Sequence, residues 1–250
     1  MNHRIFVVIA YVVLGFISSS YSAAQYNQQV QTPSLTALCN QHIDYITSSV
    51  NCTKDIAINS AYHLETKECA WVPAFKVQYH ILPELIKKYN WKRGCEIGVL
   101  FGTQSLCILA YSDLEQLYCI DPFQEYPVDS LDWVASLSQT DHNILYELVV
   151  MRLAPYSSRT TFIREPSPYA AARIADGSLD FVYIDGSHQK SSVIADLEGW
   201  FSKIRSGGFI VGDDYCDGHL GVIEAVDEFV SCHKLILNLL GYRMYLIQKQ

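Results

Sequence analysis

From Gly94 onward, short apolar runs alternate with segments whose apolar residues have helical spacing. A strand, a crossover helix and a further strand form the repeating unit of a parallel sheet that carries helices on both faces. The chain is therefore predicted to be an α/β protein with a doubly wound sheet. The predicted parallel strands lie near Gly94–Val99, Leu117–Asp121, Thr160–Arg164, Leu179–Asp185 and Phe209–Asp213.

Two more apolar runs close the chain, at Lys234–Leu240 and Tyr242–Gln248, and they meet at Gly241. So tight a junction predicts an antiparallel hairpin, which completes a mostly parallel, seven-stranded sheet. Leu131–Leu153 is predicted to be a helical insert between the second and third strands. Apolar residues at helical spacing in the segment from Pro73 to Tyr89 predict a helix that leads into the core.

The N-terminus has the pattern of a secretion signal. Arg4 precedes the apolar run Ile5–Ile17, and small and polar residues follow to Ala24. The run is shorter than the roughly 20 residues that a membrane span needs, so no span is expected after cleavage, and an uncleaved signal anchor is the alternative. A signal peptide, an N-terminal extension and one domain are therefore predicted, at residues 1–24, 25–72 and 73–250.

The charge of the chain argues against one class of partner. Its 250 residues carry a formal net charge of -8. Nucleic-acid binders use a basic surface to attract phosphates, so nucleic acid is not an expected partner. Half of the residues are hydrophobic, as in a globular protein. A small molecule is the expected ligand, and both a monomer and a homo-oligomer stay open.

The ends of the first two strands have residues that suit a nucleoside. Glu96 begins the turn, Gly98 and Gly102 would let a ligand approach the backbone, and Ser105 opens the next helix. Asp121 ends the second strand, where a carboxylate can accept the ribose hydroxyls. The glycines could instead form an ordinary tight turn, and Asp121 could be a solvated acid. The combination of the glycine turn with Asp121, at a spacing near 20 residues, favours a bound nucleoside.

This turn differs from that of dinucleotide-binding proteins. Those proteins use a tighter G-x-G-x-x-G turn, which lets a pyrophosphate rest on the helix N-terminus. Leu100 stands where the second glycine would be. The sequence therefore favours a cofactor without phosphates.

Acidic residues follow the fourth and fifth strands, at Asp185, Asp213 and Asp214, with His188 close by. Adjacent parallel strands would bring the three carboxylates to one rim, where they repel one another unless protonated or bridged by a cation. Hard oxygen donors of this kind suit Mg²⁺ or another divalent cation. His188 is a candidate general base. The alternative is that Asp213 or Asp214 caps the next helix.

Four motifs occur in order: E-I-G-x-x-x-G-T-x-S, I-D-P-F, D-G-S-L-D-F-V-x-I-D-G-x-H and G-G-x-x-x-G-D-D-Y. Over roughly residues 75–248 the chain resembles class I S-adenosylmethionine-dependent methyltransferases, which have a Rossmann-like fold. It is most similar to the metal-dependent sugar O-methyltransferases of macrolide and aminocoumarin antibiotic pathways. The resemblance implies S-adenosylmethionine and Mg²⁺ or another divalent cation as cofactors.

The resemblance also implies roles for single residues. Asp121 would lie at the ribose of the cofactor and Ser167 near its adenine. His188 would be the base, with Asp185 beside it in the catalytic set. Two positions depart from the family: Tyr215 replaces an acid, and Pro166 replaces the usual acidic residue or glycine. The methionine part would contact Glu96, Gly98 and Ser105, and Gly102 would also belong to the cofactor-binding set. The metal would be held by Asp185, Asp213 and Asp214.

The function that these observations predict is O-methylation of a small polyhydroxy or sugar-like acceptor. One rival is a secreted protein that keeps the fold as a non-catalytic scaffold. The export signal motivates that rival, because S-adenosylmethionine is made in the cytosol. A second rival is a nicotinamide-dependent oxidoreductase, against which the glycine spacing argues.

Overall fold

The computed structural model describes residues 72–126, 134, 137–241 and 243–250. The predicted signal peptide and nearly all of the N-terminal extension lie outside the described residues. The first described helix begins at Val72, one residue before the predicted domain boundary. No helix among the described residues is both long enough and apolar enough to cross a membrane.

The described residues contain one seven-stranded sheet, with the order β3-β2-β1-β4-β5-β7-β6. Strands β1 to β5 pair in parallel, whereas β7 pairs antiparallel with both β5 and β6. The prediction of a mostly parallel sheet with a C-terminal antiparallel hairpin is confirmed. The strands are β1 Arg93–Ile97, β2 Gln116–Ile120, β3 Thr160–Ile163, β4 Leu179–Ile184, β5 Ile204–Gly212, β6 Leu237–Leu240 and β7 Met244–Gln248.

Helices connect the strands and cover both faces of the sheet. They are α1 Val72–Tyr89, α2 Thr103–Tyr111, α3 Gln139–Leu153, α4 Ser167–Ala171, α5 Lys190–Phe201 and α6 Leu220–His233, with a 3₁₀ helix at Ala154–Arg159. Within the predicted insert, helix α3 begins at Gln139, and a capping box formed by Ser138 and Asp141 fixes this helix start. Most of residues 131–136 lie outside the described part.

Two hydrophobic clusters hold these layers together. On one face Leu82 of α1 and Ile108 of α2 pack against strand residues such as Leu117. On the other face Leu197 of α5 packs against residues such as Val182 of β4. Burial on both faces explains why the parallel strands are continuous apolar runs rather than alternating ones.

The hairpin is shorter at its start than predicted. Lys234 does not begin the sixth strand; it ends α6 in the left-handed conformation, with a φ of 53°. Strand β6 therefore starts at Leu237, and Gly241 makes the turn toward β7 with a φ of 64°. This hairpin places Arg243 next to the carboxyl end of β5, since Gly212 pairs with Tyr245.

We expect Leu197→Ala to lower the free energy of unfolding by about 2–5 kcal/mol, because it leaves a cavity at a side chain with no exposed surface. The matched control is Leu239→Ala in β6, where the side chain is 61% exposed. That change should stay within about 0.5 kcal/mol. Urea denaturation of both variants measures the difference, and equal losses would contradict the described packing.

Candidate functional site

The candidate site lies at the carboxyl ends of the central parallel strands. Ile97 pairs with Ile120 on one side and with Ile184 on the other, and Ile184 pairs with Gly212. The residues that follow these positions therefore lie side by side at one edge of the sheet, as the sequence predicted. They include Gly98, Asp121, Asp185 and Asp213.

The turn after β1 depends on two glycines. Gly98 has a φ of 85°, and a Cβ at this position would collide with the backbone of Asp185. Gly102 has a φ of 68° and precedes α2 without a side-chain cap. A Cβ at Gly102 would lie 2.9 Å from Cγ1 of Val149, so the absence of a side chain at both positions lets the turn pack closely against the rest of the protein.

Glu96 is a buried acid behind this turn. Its side chain accepts a hydrogen bond from the hydroxyl of Ser105. Burial raises the pKa of Glu96 to about 8, and the negative charges of Asp185 and Asp121 add to the shift, while the bond from Ser105 opposes it. Glu96 is therefore mostly protonated at neutral pH when no cation lies beside it.

Asp121 uses its carboxylate to hold the same turn. Oδ2 accepts hydrogen bonds from the backbone N–H groups of Val99 and Leu100, at 3.0 Å each, and Oδ1 accepts one from Phe123 at 2.8 Å. Burial raises the pKa of Asp121, and these bonds oppose that shift. A carboxylate has about four acceptor sites. One remains for a ribose hydroxyl, so the predicted double contact would require the turn to move.

A neighbour of Asp121 was missed from the sequence. His142 in α3 is 4% exposed, and its Nε2 has no hydrogen-bond partner among the described residues. Burial lowers the pKa of His142, although the charge of Asp121 opposes this, so the ring is a neutral imidazole. A lone histidine in a helix gave no signal, because its nearness to Asp121 depends on how α3 packs against the sheet.

Ser167, predicted to lie near the adenine, has partners on α5. Its hydroxyl accepts a hydrogen bond of 2.7 Å from Nε1 of Trp200 and also bonds to Asp196. Trp200 is fully buried, so this hydroxyl bonds to a side chain of the protein core. Contact with an adenine through the serine hydroxyl stays a prediction.

Two predicted acids share one tyrosine. Oη of Tyr183 lies 3.2 Å from Oδ2 of Asp185 and 3.4 Å from Oδ2 of Asp213. Burial raises the pKa of Asp185 to about 7, and the negative charge of Asp213 raises it further, whereas Arg243 and Tyr183 oppose the shift. Asp185 and Asp213 therefore lie together, as the strand order predicts.

Arg243 neutralises the paired aspartates after β5. Its Nε donates to Oδ1 of Asp213 at 2.7 Å, and its Nη2 donates to Oδ1 of Asp214. Both aspartate side chains are nearly inaccessible, at 3% and 4% exposed. Asp214 also has a φ of 64°, in the left-handed region that aspartate tolerates better than most non-glycine residues.

Two histidines face Asp214. Nε2 of His188 lies 2.7 Å from Oδ2 of Asp214, and Nε2 of His219 lies 3.5 Å from Oδ1. The two rings have centroids 4.1 Å apart. In the part of the chain that the structure describes, these three side chains form the one group whose candidate metal-binding atoms all lie within 4.8 Å of one another.

The structure thus brings Asp185, Asp213, Asp214 and His188 to one rim, beside the turn after β1 that Asp121 holds and behind which Glu96 lies. Sequence reasoning missed Arg243 and His219, which complete this rim. His219 follows Asp214 by five residues in the sequence, but the sequence does not show how the intervening loop orients its side chain. Arg243 gave no signal, since nothing in the hairpin marks it as a partner of distant acids.

Comparison with known proteins agrees with this geometry. Residues 95–215 match a family model described as a methyltransferase domain. An uncharacterized protein of Acanthamoeba polyphaga mimivirus is 25% identical over 173 residues, which cover 66% of this chain and 72% of that protein. The residues that match the family model include the carboxyl ends of all five parallel strands.

Solved structures share the fold. A putative caffeoyl-CoA O-methyltransferase from Staphylococcus aureus has a TM-score of 0.53 at 14% identity, covering 84% of this chain and 98% of that one. The O-methyltransferase TomG from Streptomyces achromogenes, in complex with SAM, has a TM-score of 0.50 at 14% identity, covering 70% of this chain and 80% of that one. Residues 95–215 are thus similar to a methyltransferase domain, and the solved structures share the fold of the described residues.

Proposed function

We propose that this protein is an O-methyltransferase that transfers the methyl group of S-adenosylmethionine to a hydroxyl of a small polyhydroxy or sugar-like acceptor. One observation carries the proposal. Glu96, a buried acid that is mostly protonated when no cation is bound, lies on the same sheet edge as His188, which pairs with the buried Asp214. Glu96 suits the ammonium of the cofactor, and His188 suits the hydroxyl of the acceptor.

The cofactor side is built from the first two strand ends. The ammonium of the methionine part would bind Glu96, with Ser105 fixing the carboxylate. The methionine part would lie along the turn that contains Gly98 and Gly102. The ribose would reach Asp121, and the unpartnered Nε2 of the nearby His142 is a further candidate for a ribose hydroxyl.

The acceptor side needs a base, because a hydroxyl is a poor nucleophile at neutral pH. When Nε2 of His188 donates to Asp214, Nδ1 is left as the proton acceptor. The acceptor oxygen attacks the methyl carbon, the carbon–sulfur bond breaks as the carbon–oxygen bond forms, and the hydroxyl proton goes to Nδ1. S-adenosylhomocysteine leaves. The protein contributes alignment and removal of one proton.

The divalent cation predicted from the sequence would have Asp185, Asp213 and Asp214 as ligands. When bound, such a cation would lower the pKa of an acceptor hydroxyl. The arrangement of these side chains does not fit it: Arg243 contacts both Asp213 and Asp214, and His188 contacts the other oxygen of Asp214. We therefore route no step of the reaction through a metal.

The rival hypothesis of a non-catalytic scaffold does not account for the contacts of Asp214. A scaffold has no use for a nearly inaccessible aspartate that is held against two histidines. Export through the N-terminal signal stays part of the proposal, as do a small-molecule partner and the absence of nucleic acid.

Affinity for S-adenosylmethionine should rise with pH between about pH 5.5 and 7.5. Free Glu96 has a pKa raised to about 8, whereas a bound ammonium favours the ionised form and lowers that pKa. Binding then releases a proton, and the affinity rises by up to about tenfold per pH unit until the pH passes the free pKa. Calorimetry across this range measures the slope.

The matched control is Glu96→Gln, which keeps the shape and the contact with Ser105 but cannot ionise. Its affinity should be weaker and nearly independent of pH over the same range. A wild-type affinity that is flat with pH, or a variant with the wild-type slope, would place the ammonium elsewhere. No detectable binding of S-adenosylmethionine by the folded wild type would refute the proposed function.

Replacing His188 by Ala should lower turnover by roughly a hundredfold to ten-thousandfold, the contribution of a general base, and leave affinity for S-adenosylmethionine intact. Formation of S-adenosylhomocysteine with a panel of sugars and catechols measures turnover. His233→Ala is the control, because His233 pairs with Glu198 on the outer helices. Equal activity of the two variants would remove His188 from the mechanism.

A further inference from the structure

We infer that Arg243 is the permanent cation of this site, and that its guanidinium takes the place that a divalent metal ion would need between Asp213 and Asp214. The assignment rests on the geometry of the rim. Only its consequence for turnover rests on the proposed function.

The first support is the charge that burial has to balance. Asp213 and Asp214 are consecutive residues whose side chains are 3% and 4% exposed. The guanidinium of Arg243 forms ion pairs with both of them. Two adjacent buried carboxylates are strongly unfavourable unless a cation or protons compensate them. The planar guanidinium with its fork of donors suits this task, and it stays charged at every pH at which proteins are folded.

The second support is the rigid placement of Arg243. Its carbonyl oxygen accepts a hydrogen bond of 2.8 Å from the backbone N–H of Tyr215, the residue that follows Asp214. Immediately after Arg243, β7 pairs with the end of β5, where Tyr245 lies opposite Gly212. The backbone at Arg243 is therefore fixed from both sides of the aspartate pair.

The third support is the inventory of acceptor atoms. Oδ1 of Asp213 accepts from Arg243 and, at 2.8 Å, from the backbone N–H of Asp214, and Oδ2 lies near the hydroxyl of Tyr183. Oδ1 of Asp214 accepts from Arg243, and Oδ2 faces His188. Three of the four oxygens thus face a donor of their own, and Oδ2 of Asp213 shares the single hydroxyl proton of Tyr183 with Asp185. Mg²⁺ requires near-octahedral oxygen ligands at about 2.0–2.1 Å, which these atoms cannot supply while Arg243 is in place.

A softer cation at His188, Asp214 and His219 is the competing assignment. Two ligands that are each about 2.0–2.2 Å from a tetrahedral ion lie roughly 3.3 Å or more apart. Nε2 of His188 is 2.7 Å from Oδ2 of Asp214, which is the length of a charge-assisted hydrogen bond instead. The imidazole and the carboxylate therefore bond to each other, in the pairing that a base needs.

Titration of metal ions into the full protein tests the inference. Wild-type protein should bind neither Mg²⁺, Mn²⁺ nor Zn²⁺ stoichiometrically at micromolar concentrations, and its turnover should be unchanged in EDTA. Arg243→Ala should gain affinity for Mn²⁺, by about a hundredfold or more, since a positive charge leaves the two carboxylates. Electron paramagnetic resonance of Mn²⁺ measures this without any turnover.

Two controls separate charge from folding. Arg243→Lys keeps the charge and should gain no Mn²⁺ affinity. Arg205→Ala removes an arginine that pairs with Asp180 at the opposite end of the sheet, and it should behave as wild type. If Arg243→Ala does not fold, Arg243→Gln with Asp213→Asn removes one charge of each sign and should restore folding without creating a metal site.

Stoichiometric binding of any of the three ions by wild-type protein would overturn the inference, as would loss of turnover in EDTA. Folded Arg243→Ala without a gain in Mn²⁺ affinity would overturn it as well. Binding of S-adenosylmethionine is measured in the same samples. If the cofactor fails to bind while the metal results are as expected, the proposed function fails and the assignment of Arg243 stands.

Discussion

The burial of negative charge at one edge of a parallel sheet is the constraint on which the rest of this site depends. Parallel pairing forces the ends of neighbouring strands to the same edge, so acids that follow those strands lie close together. Each acid must then lose its charge or find a compensating donor. The acids concerned are Glu96, Asp121, Asp185, Asp213 and Asp214.

The protein compensates these acids in different ways, and the differences assign their roles. Glu96 remains protonated and can become charged when a cationic ligand binds. Asp121 is stabilised by backbone N–H groups and thereby shapes the turn that such a ligand would contact. The aspartates after β5 are held by a guanidinium, which leaves Asp214 free to orient His188. In the proposed function, one edge would thus combine a place for a cationic cofactor with a base.

Sequence reasoning predicted the strand ends correctly because apolar runs, helical spacing and the residues that follow each strand are local features of the sequence. It predicted that Asp185, Asp213 and Asp214 meet, since adjacent parallel strands leave no other arrangement. It inferred a metal from those acids because it counted the nearby negative charges alone. The compensating charge of Arg243 comes from a hairpin about thirty residues later, and only the antiparallel pairing of β7 brings it there.

Other side-chain contacts depend on packing in the same way. Ser167 is predicted from the family resemblance to lie near the adenine, and its hydroxyl contacts Trp200 and Asp196 in another helix. His142 lies near Asp121 only because α3 folds back over the strand ends. Positions along a strand can be predicted from the sequence, whereas directions of side chains from loops and helices follow from tertiary contacts.

A crystal structure with S-adenosylhomocysteine, grown in Mn²⁺ and collected at the manganese absorption edge, would test the central account most directly. We predict the amino group of the ligand within hydrogen-bonding distance of Glu96 and the ribose beside Asp121. We also predict Arg243 between Asp213 and Asp214 with no anomalous peak there. Ligand density away from the turn after β1, or a manganese peak between the aspartates with Arg243 displaced, would contradict the account.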